Sequence, residues 1–138
     1  MIKDVVADLK ADEGFVPHVY DDHLGYATLG YGFLVDKEKG GRIPAEVAEF
    51  WLLYEVEHRW GDLLDRLPWL EGQPEEVQRA LLNMAYQMGI NGVCNFRRML
   101  AALKAGRRAE AAMEALNSTW ARQTPGRARR VAGRIRGG

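Results

Sequence analysis

The sequence predicts an α+β fold: a small sheet-bearing N-terminal lobe, a long connecting helix and an all-α C-terminal lobe. Three observations predict it. The apolar pattern leaves helical spacing over residues 15–35 and returns to it from about residue 45. The stretch 45–66 is apolar on more than one side, as a helix touching two bodies would be. The 138 residues suffice for one domain in two lobes, about 1–44 with the connecting helix 45–66, and 67–138.

The elements follow in order. Ile2, Val5, Val6 and Leu9 recur at helical spacing, so residues 2–12 form a helix that Gly14 stops. Val19-Tyr20, Tyr26 to Leu29 and Tyr31 to Val35 read as short strands, with a turn over Asp21 to Gly25. Gly30 and Gly32 mark a bend or a close backbone approach. Asp36 to Arg42 is a charged, glycine-rich loop. Pro44 is placed to open the helix 45–66, and Leu67 to Gly72 breaks it. Pro74 starts the next helix, carried by Val77, Leu81, Met84 and Met88 and punctuated by Gly89 and Gly92. Phe96, Met99, Leu100 and Leu103 define another, ended near Gly106. Ala109, Ala112, Met113 and Leu116 define a further one running toward Trp120. Thr124-Pro125 gives the last helix an N-cap and a favoured first residue.

Composition narrows the class. Hydrophobic residues make up 47% and charged residues 28%, which fits a soluble globular protein. The single cysteine, Cys94, excludes an internal disulfide framework and a cysteine-rich zinc site, and reads as a small core filler. No window approaches the roughly 18 apolar residues that span a bilayer. Met1-Ile2-Lys3-Asp4 carries an acid early with no long apolar core behind it, so a signal peptide is not expected. Charge is divided: residues 1–103 hold 10 Lys/Arg against 17 Asp/Glu, and residues 104–138 hold 9 against 2. The C-terminal end therefore either faces something anionic or lines its solvated side with basic residues.

Chemistry centres on carboxylates. Glu13 falls within the stripe of Ile2, Val5, Val6 and Leu9, which points it toward the core, and it lies at the negative end of a helix dipole. Both conditions would raise its pKa and suit it to general-acid work. The alternatives are a buried Glu paired with an arginine, or one released to solvent where the helix frays before Gly14. Asp22 sits in the turn, a favoured place for Asp in any protein, and Asp21 beside it strengthens that plain reading. Thr28, six residues on, has ordinary β-propensity. Together, a helix-end Glu, a turn Asp and a strand Thr can converge on a cleft between sheet and helical lobe. Two carboxylates in different environments are the equipment of glycoside hydrolysis. Other chemistries are poorly served. His18, His23 and His58 lack metal-ligand spacing, there is no HExxH or GxSxG, and Gly30-x-Gly32 lacks the third glycine of a dinucleotide loop. No cofactor and no metal are expected.

The pattern Glu13-Gly14, Tyr20, Asp22, Gly25-Tyr26, Thr28 and Gly30-Tyr31-Gly32 resembles the Glu-x8-Asp-x5-Thr signature of phage-type lysozymes, glycoside hydrolase family 24. The likeness continues in Asn83 to Gly89, Gly92 to Phe96, Ser118 to Pro125 and Arg127 to Arg130, and so covers most of the chain. It implies a lysozyme-like fold and a muramidase acting on the β-1,4 bond between N-acetylmuramic acid and N-acetylglucosamine in bacterial peptidoglycan. It implies that Glu13 protonates the leaving oxygen, that Asp22 activates water or stabilises positive charge on the sugar, and that Thr28 places the water. Leu34 and Tyr86 match groove-lining positions. Gln87, Gln123 and Arg127 match positions expected to support structure or substrate, and Trp120 is expected in the core. The sequence departs from the pattern at Phe33, where the family often has a His paired with an acid on the connecting helix. With Phe33 and Glu55 that pair cannot form. Two groove positions are Met99 and Glu114 here, which puts their part in substrate binding in doubt.

Two other readings stay open. A lytic transglycosylase would share the substrate but would not need Asp22 to activate water. A non-enzymatic binder of anionic polymer, lipid or nucleic acid would use Arg127, Arg129, Arg130, Arg134 and Arg136. Contact of that basic last helix with anionic membrane or wall polymer could also accompany catalysis. The expectation is a monomeric endolysin with no nucleic-acid partner. It would be held in the host cytoplasm and would reach the wall through a pore made by another protein.

Overall fold

A computed structural model describes residues 1–36 and 40–137, so residues 37–39 of the expected charged loop lie outside it, as does Gly138. The chain forms two compact units, Met1–Trp51 and Leu52–Gly138, and the boundary falls inside the long helix.

In the first unit, α1 (Ile2–Glu13) ends at Gly14, whose φ of 69° is open to glycine and whose N–H donates to the Lys10 carbonyl at 3.1 Å. β1 (Val16–Asp21), β2 (Ala27–Gly30) and β3 (Phe33–Leu34) form an antiparallel sheet in that order. Tyr20 lies opposite Thr28, and Thr28 opposite Leu34. The first strand begins earlier than the sequence suggests, and it includes Pro17. A proline is tolerated there because β1 is an edge strand and its register shifts between Val16 and Tyr20. The third strand is shorter than expected, because Tyr31 and Gly32 form the β2–β3 turn.

The helix α2 (Ala45–Arg66) starts as expected, with the Pro44 carbonyl accepting from the N–H groups of Val47 and Ala48 at 3.1 Å each. A 3-10 turn, Pro68–Gly72, breaks the chain before α3 (Glu75–Cys94). Gln78 on α3 donates to the carbonyls of Leu70, Glu71 and Gln73 and so ties down that turn's end. Gly89 interrupts α3 with φ 80° and ψ 167°. α4 (Arg97–Lys104), α5 (Arg108–Leu116), α6 (Thr119–Gln123) and α7 (Pro125–Arg136) complete the second unit.

Two boundaries differ from expectation. The helix of Ala109 to Leu116 does not continue to Trp120, because Ser118 ends one helix and opens the next. Its hydroxyl donates to the Ala115 carbonyl at 2.7 Å and accepts from the Ala121 N–H at 3.1 Å. Thr124 does not cap α7 with its side chain; its hydroxyl donates back to the Trp120 carbonyl at 3.0 Å.

The apolar core belongs to the second unit. Leu63, Leu81, Met84, Met99, Leu103 and Ile135 are fully buried in it, each contributing roughly 1.5–3 kcal/mol of apolar transfer energy. Trp120 and Cys94 pack against this core, as expected. Arg108 of α5 holds the end of α7 by donating to the carbonyls of Ile135 at 2.8 Å and Arg134 at 3.0 Å. Among the described residues no helix is long and apolar enough to cross a membrane.

Candidate active site

The first unit holds Glu13, Asp22, Thr28 and Leu34. Glu13 is the last residue of α1, and its carboxylate lies over the β2–β3 turn. A Cβ placed on Gly32 would fall 2.7 Å from Glu13 Oε2. Gly32 has φ 72°, which calls for glycine in the turn, and its bare Cα lets the carboxylate come close, the approach the sequence anticipated. Tyr31 ties the same turn to α1. Its ring centroid is 5.3 Å from that of Phe15, and the Lys10 ammonium lies 5.6 Å from it.

The burial expected of Glu13 is not found. It is exposed, and α1 has no buried residue. Ile2, Val5, Val6 and Leu9 do share a face, but that face remains exposed. Spacing reports which side chains point the same way, not whether another surface covers them.

Asp22 is held by its own turn. Its Oδ1 accepts from the N–H groups of Leu24 and Tyr26, both at 2.9 Å, and its N–H donates to the Tyr26 carbonyl at 2.8 Å. The Tyr26 N–H above all, aided by the Leu24 and Gly25 N–H groups and by His23, holds the carboxyl below its ordinary value of 3.8. Partial burial opposes this and does not win. Asp22 therefore fills the turn role common to aspartates and is an anion at neutral pH. Thr28 is the buried polar residue of β2, 6% exposed, and its hydroxyl donates to the Tyr26 carbonyl at 3.1 Å. Tyr26 thus braces both side chains, an arrangement the sequence did not single out. Leu34, paired with Thr28 across the sheet, is exposed.

The second unit holds Tyr86, Gln87, Gln123 and Arg127. Three of them meet along one side of α3. The Arg59 guanidinium stacks on the Tyr86 ring at 5.0 Å, Trp120 Nε1 donates to Gln87 Oε1 at 2.8 Å, and Arg127 Nε donates to Asn83 Oδ1 at 2.9 Å. These contacts pin α2, α6 and α7 to α3. Gln123 ends α6 and is exposed. Glu55 pairs with Arg59 one turn along α2. Met99 is fully buried, in the wall of the cavity that Glu114 also lines. Glu114 is half-buried in the wall of a cavity of about 700 Å³ within this unit, with Phe96, Arg97, Arg98 and Trp120. Among the described residues no group of three or more His, Cys, Asp or Glu could hold a metal ion.

Residues 10–136 match the family described as Phage lysozyme. The chain belongs to the phage lysozyme family.

Relatives agree with that assignment. The chain is 29% identical over 157 aligned positions to "Probable T4-type lysozyme 1" of Dictyostelium discoideum, spanning 95% of this chain and 92% of the relative. A second Dictyostelium discoideum protein, "Probable T4-type lysozyme 2", is 28% identical over 95% of this chain and 92% of its own length. The pre-baseplate central spike protein Gp5 of Enterobacteria phage T4 is 32% identical over 89% of this chain, but over only 26% of its own length. This phage lysozyme family member is a lysozyme-type hydrolase, a glycosidase with the α+β architecture anticipated from the sequence.

Proposed function

We propose that this lysozyme cuts the β-1,4 bond between N-acetylmuramic acid and N-acetylglucosamine in bacterial peptidoglycan, with Glu13 as general acid, Asp22 as its ionised partner and Thr28 as water ligand. The observation that carries the assignment is the presence of two differently held carboxylates in one small unit. Glu13 stands exposed over the glycine turn, free to reach a bound polymer, while the Asp22 turn keeps a carboxylate charged.

The roles follow from these environments. Glu13 delivers its proton to the glycosidic oxygen as the bond to C1 breaks, and the sugar gains positive charge. Asp22 stabilises that charge, or accepts the proton of the water that attacks C1. The Thr28 hydroxyl gives its hydrogen to the Tyr26 carbonyl, so its oxygen is left to accept from that water. Exposed Leu34 and Tyr86 are the proposed sugar contacts, with Gln123 beside them in role. Gln87 and Arg127 act by bracing α3 through Trp120 and Asn83. In this reading the enzyme serves host lysis, released to the wall through a pore made by another protein.

Digestion of purified peptidoglycan by wild type, Glu13→Gln and Asp22→Asn, with product masses, tests this. Reducing muramic ends from wild type and their loss in folded Glu13→Gln support the assignment. Anhydro-muramic ends would move the protein to the transglycosylases.

A further inference from the structure

The last helix divides cleanly. Ala128, Val131, Ala132 and Ile135 are buried in the core of the second unit. Arg129, Arg130 and Arg136 are exposed on the other side, separated only by Gly133. None of the three has a carboxylate within ion-pair distance among the described residues. Residues 115–138 contain six arginines and no acid at all. Arg127 and Arg130 lie three residues apart and Arg130 and Arg134 four, and such like charges along one helix repel, so the cationic side of this helix is not arranged for its own stability.

The apolar side decides what the face can bind. An interfacial helix enters a membrane by burying its apolar side among the lipids. Here that side is committed to the core, and Arg108 fixes the helix end through the Arg134 and Ile135 carbonyls. Insertion would require unpacking Ile135 and Val131, which are 0% and 1% exposed. What remains is a rigid cationic surface that attracts a polyanion without entering it.

We propose that Arg129, Arg130 and Arg136 form an electrostatic docking surface for the carboxylate-bearing peptide stems of peptidoglycan, distinct in role from bond cleavage. The inference rests on the muramidase reading, since that reading supplies the polymer. Charge complementarity selects the occupant: the stems present carboxylates at regular intervals along the glycan, and the helix presents guanidiniums that pair with carboxylates through two parallel hydrogen bonds. Such a surface would hold the enzyme on its insoluble substrate between cuts and would weaken with salt.

Cosedimentation with intact sacculi, measured in a Glu13→Gln background, tests the proposal. The triple substitution Arg129→Gln, Arg130→Gln, Arg136→Gln should lower affinity about tenfold at low salt, from three exposed charge contacts. It should also flatten the salt dependence. A triple Arg→Lys variant should bind between the parent and the Gln variant, because it keeps the charge and loses the paired hydrogen bonds. Amidation of the sacculus carboxylates should reproduce the loss with the arginines intact, independently of how the variants fold. With Glu13 restored, the Gln variant should show a raised KM on sacculi and an unchanged kcat on soluble, peptide-free glycan of alternating N-acetylmuramic acid and N-acetylglucosamine. Equal binding by parent and triple variant, or full retention on amidated sacculi, would overturn the docking surface. So would stronger retention on phosphatidylglycerol vesicles than on sacculi at the same salt. Absence of cleavage of sacculi by the wild type would instead overturn the muramidase reading, which the cleavage arm reports separately.

Discussion

The two units of this lysozyme are stabilised by different means. Met1–Trp51 carries no fully buried large apolar side chain among its described residues, and its order comes from backbone pairing, an Asx turn and glycines at positive φ. Leu52–Gly138 concentrates its apolar burial in a helical core closed by side chains that reach across helices, such as Gln78, Arg108 and Arg127. The proposed acid and its partner sit in the first kind of structure. The difference teaches that carboxylate positions here depend on local backbone geometry rather than on core packing. Substitutions should therefore separate activity from stability by unit.

The largest separation is expected at Glu13. Glu13→Gln should lower hydrolysis of peptidoglycan by about 10²–10⁴-fold, the usual contribution of a general acid. Its unfolding free energy should stay within about 0.5 kcal/mol of wild type, as for exposed sites. A large loss of stability would break the comparison.

Leu81→Ala should show the converse. Removing a fully buried leucine from the core should cost about 2–5 kcal/mol in urea unfolding. Leu9→Ala on the exposed face of α1 should cost less than about 1 kcal/mol. Equal costs would mean that the two units do not differ in this way.

A smaller effect sharpens the claim at Gly32. An alanine there meets the Glu13 carboxylate at 2.7 Å and must adopt φ 72°. Gly32→Ala should destabilise by about 1 kcal/mol or more and lower activity by displacing Glu13. The matching change at exposed Gly61, where a Cβ meets nothing within 4 Å, should leave activity intact.

The smallest effect concerns pH. The folded pKa of Asp22 lies below its ordinary value of 3.8, chiefly through the Tyr26 N–H. Its stabilising contribution is therefore present above that ordinary value and is lost as pH falls through the lower, folded value. The melting-temperature gap between wild type and Asp22→Asn should be constant from pH 7 to about 5 and shrink below about 4. A gap that widens in acid would mean that the turn does not favour the charged carboxylate.

Much of the local structure around Glu13, Asp22 and Thr28 was legible from spacing because these residues are close in sequence. The Glu13 to Thr28 stretch forms through contacts of a few residues' range, and Asp22 bonding Leu24 and Tyr26 is a local event that turn chemistry foretells. The helices after the sheet were legible for the same reason, through Pro44, Pro74 and the apolar stripes. Ser118 was missed because a serine that closes one helix and opens another looks, in sequence, like any serine. Thr124 misled in the opposite direction: it stands at the cap position before Pro125, but its hydroxyl donates back to the Trp120 carbonyl and makes no cap bond to α7.

The sequence by itself determined element type, the turn around Asp22, the family and the charge division between the ends of the chain. All of these rest on local stereochemistry or on residue identity. Only the tertiary structure decided that the α1 stripe is exposed, that Glu13 rests on Gly32 and that Met99 is buried. It alone showed Arg127 and Trp120 bracing α3, and the last helix committing its apolar side to the core. Those outcomes depend on which surfaces meet across tens of residues of intervening chain, and periodicity along a single segment carries no information about its partner.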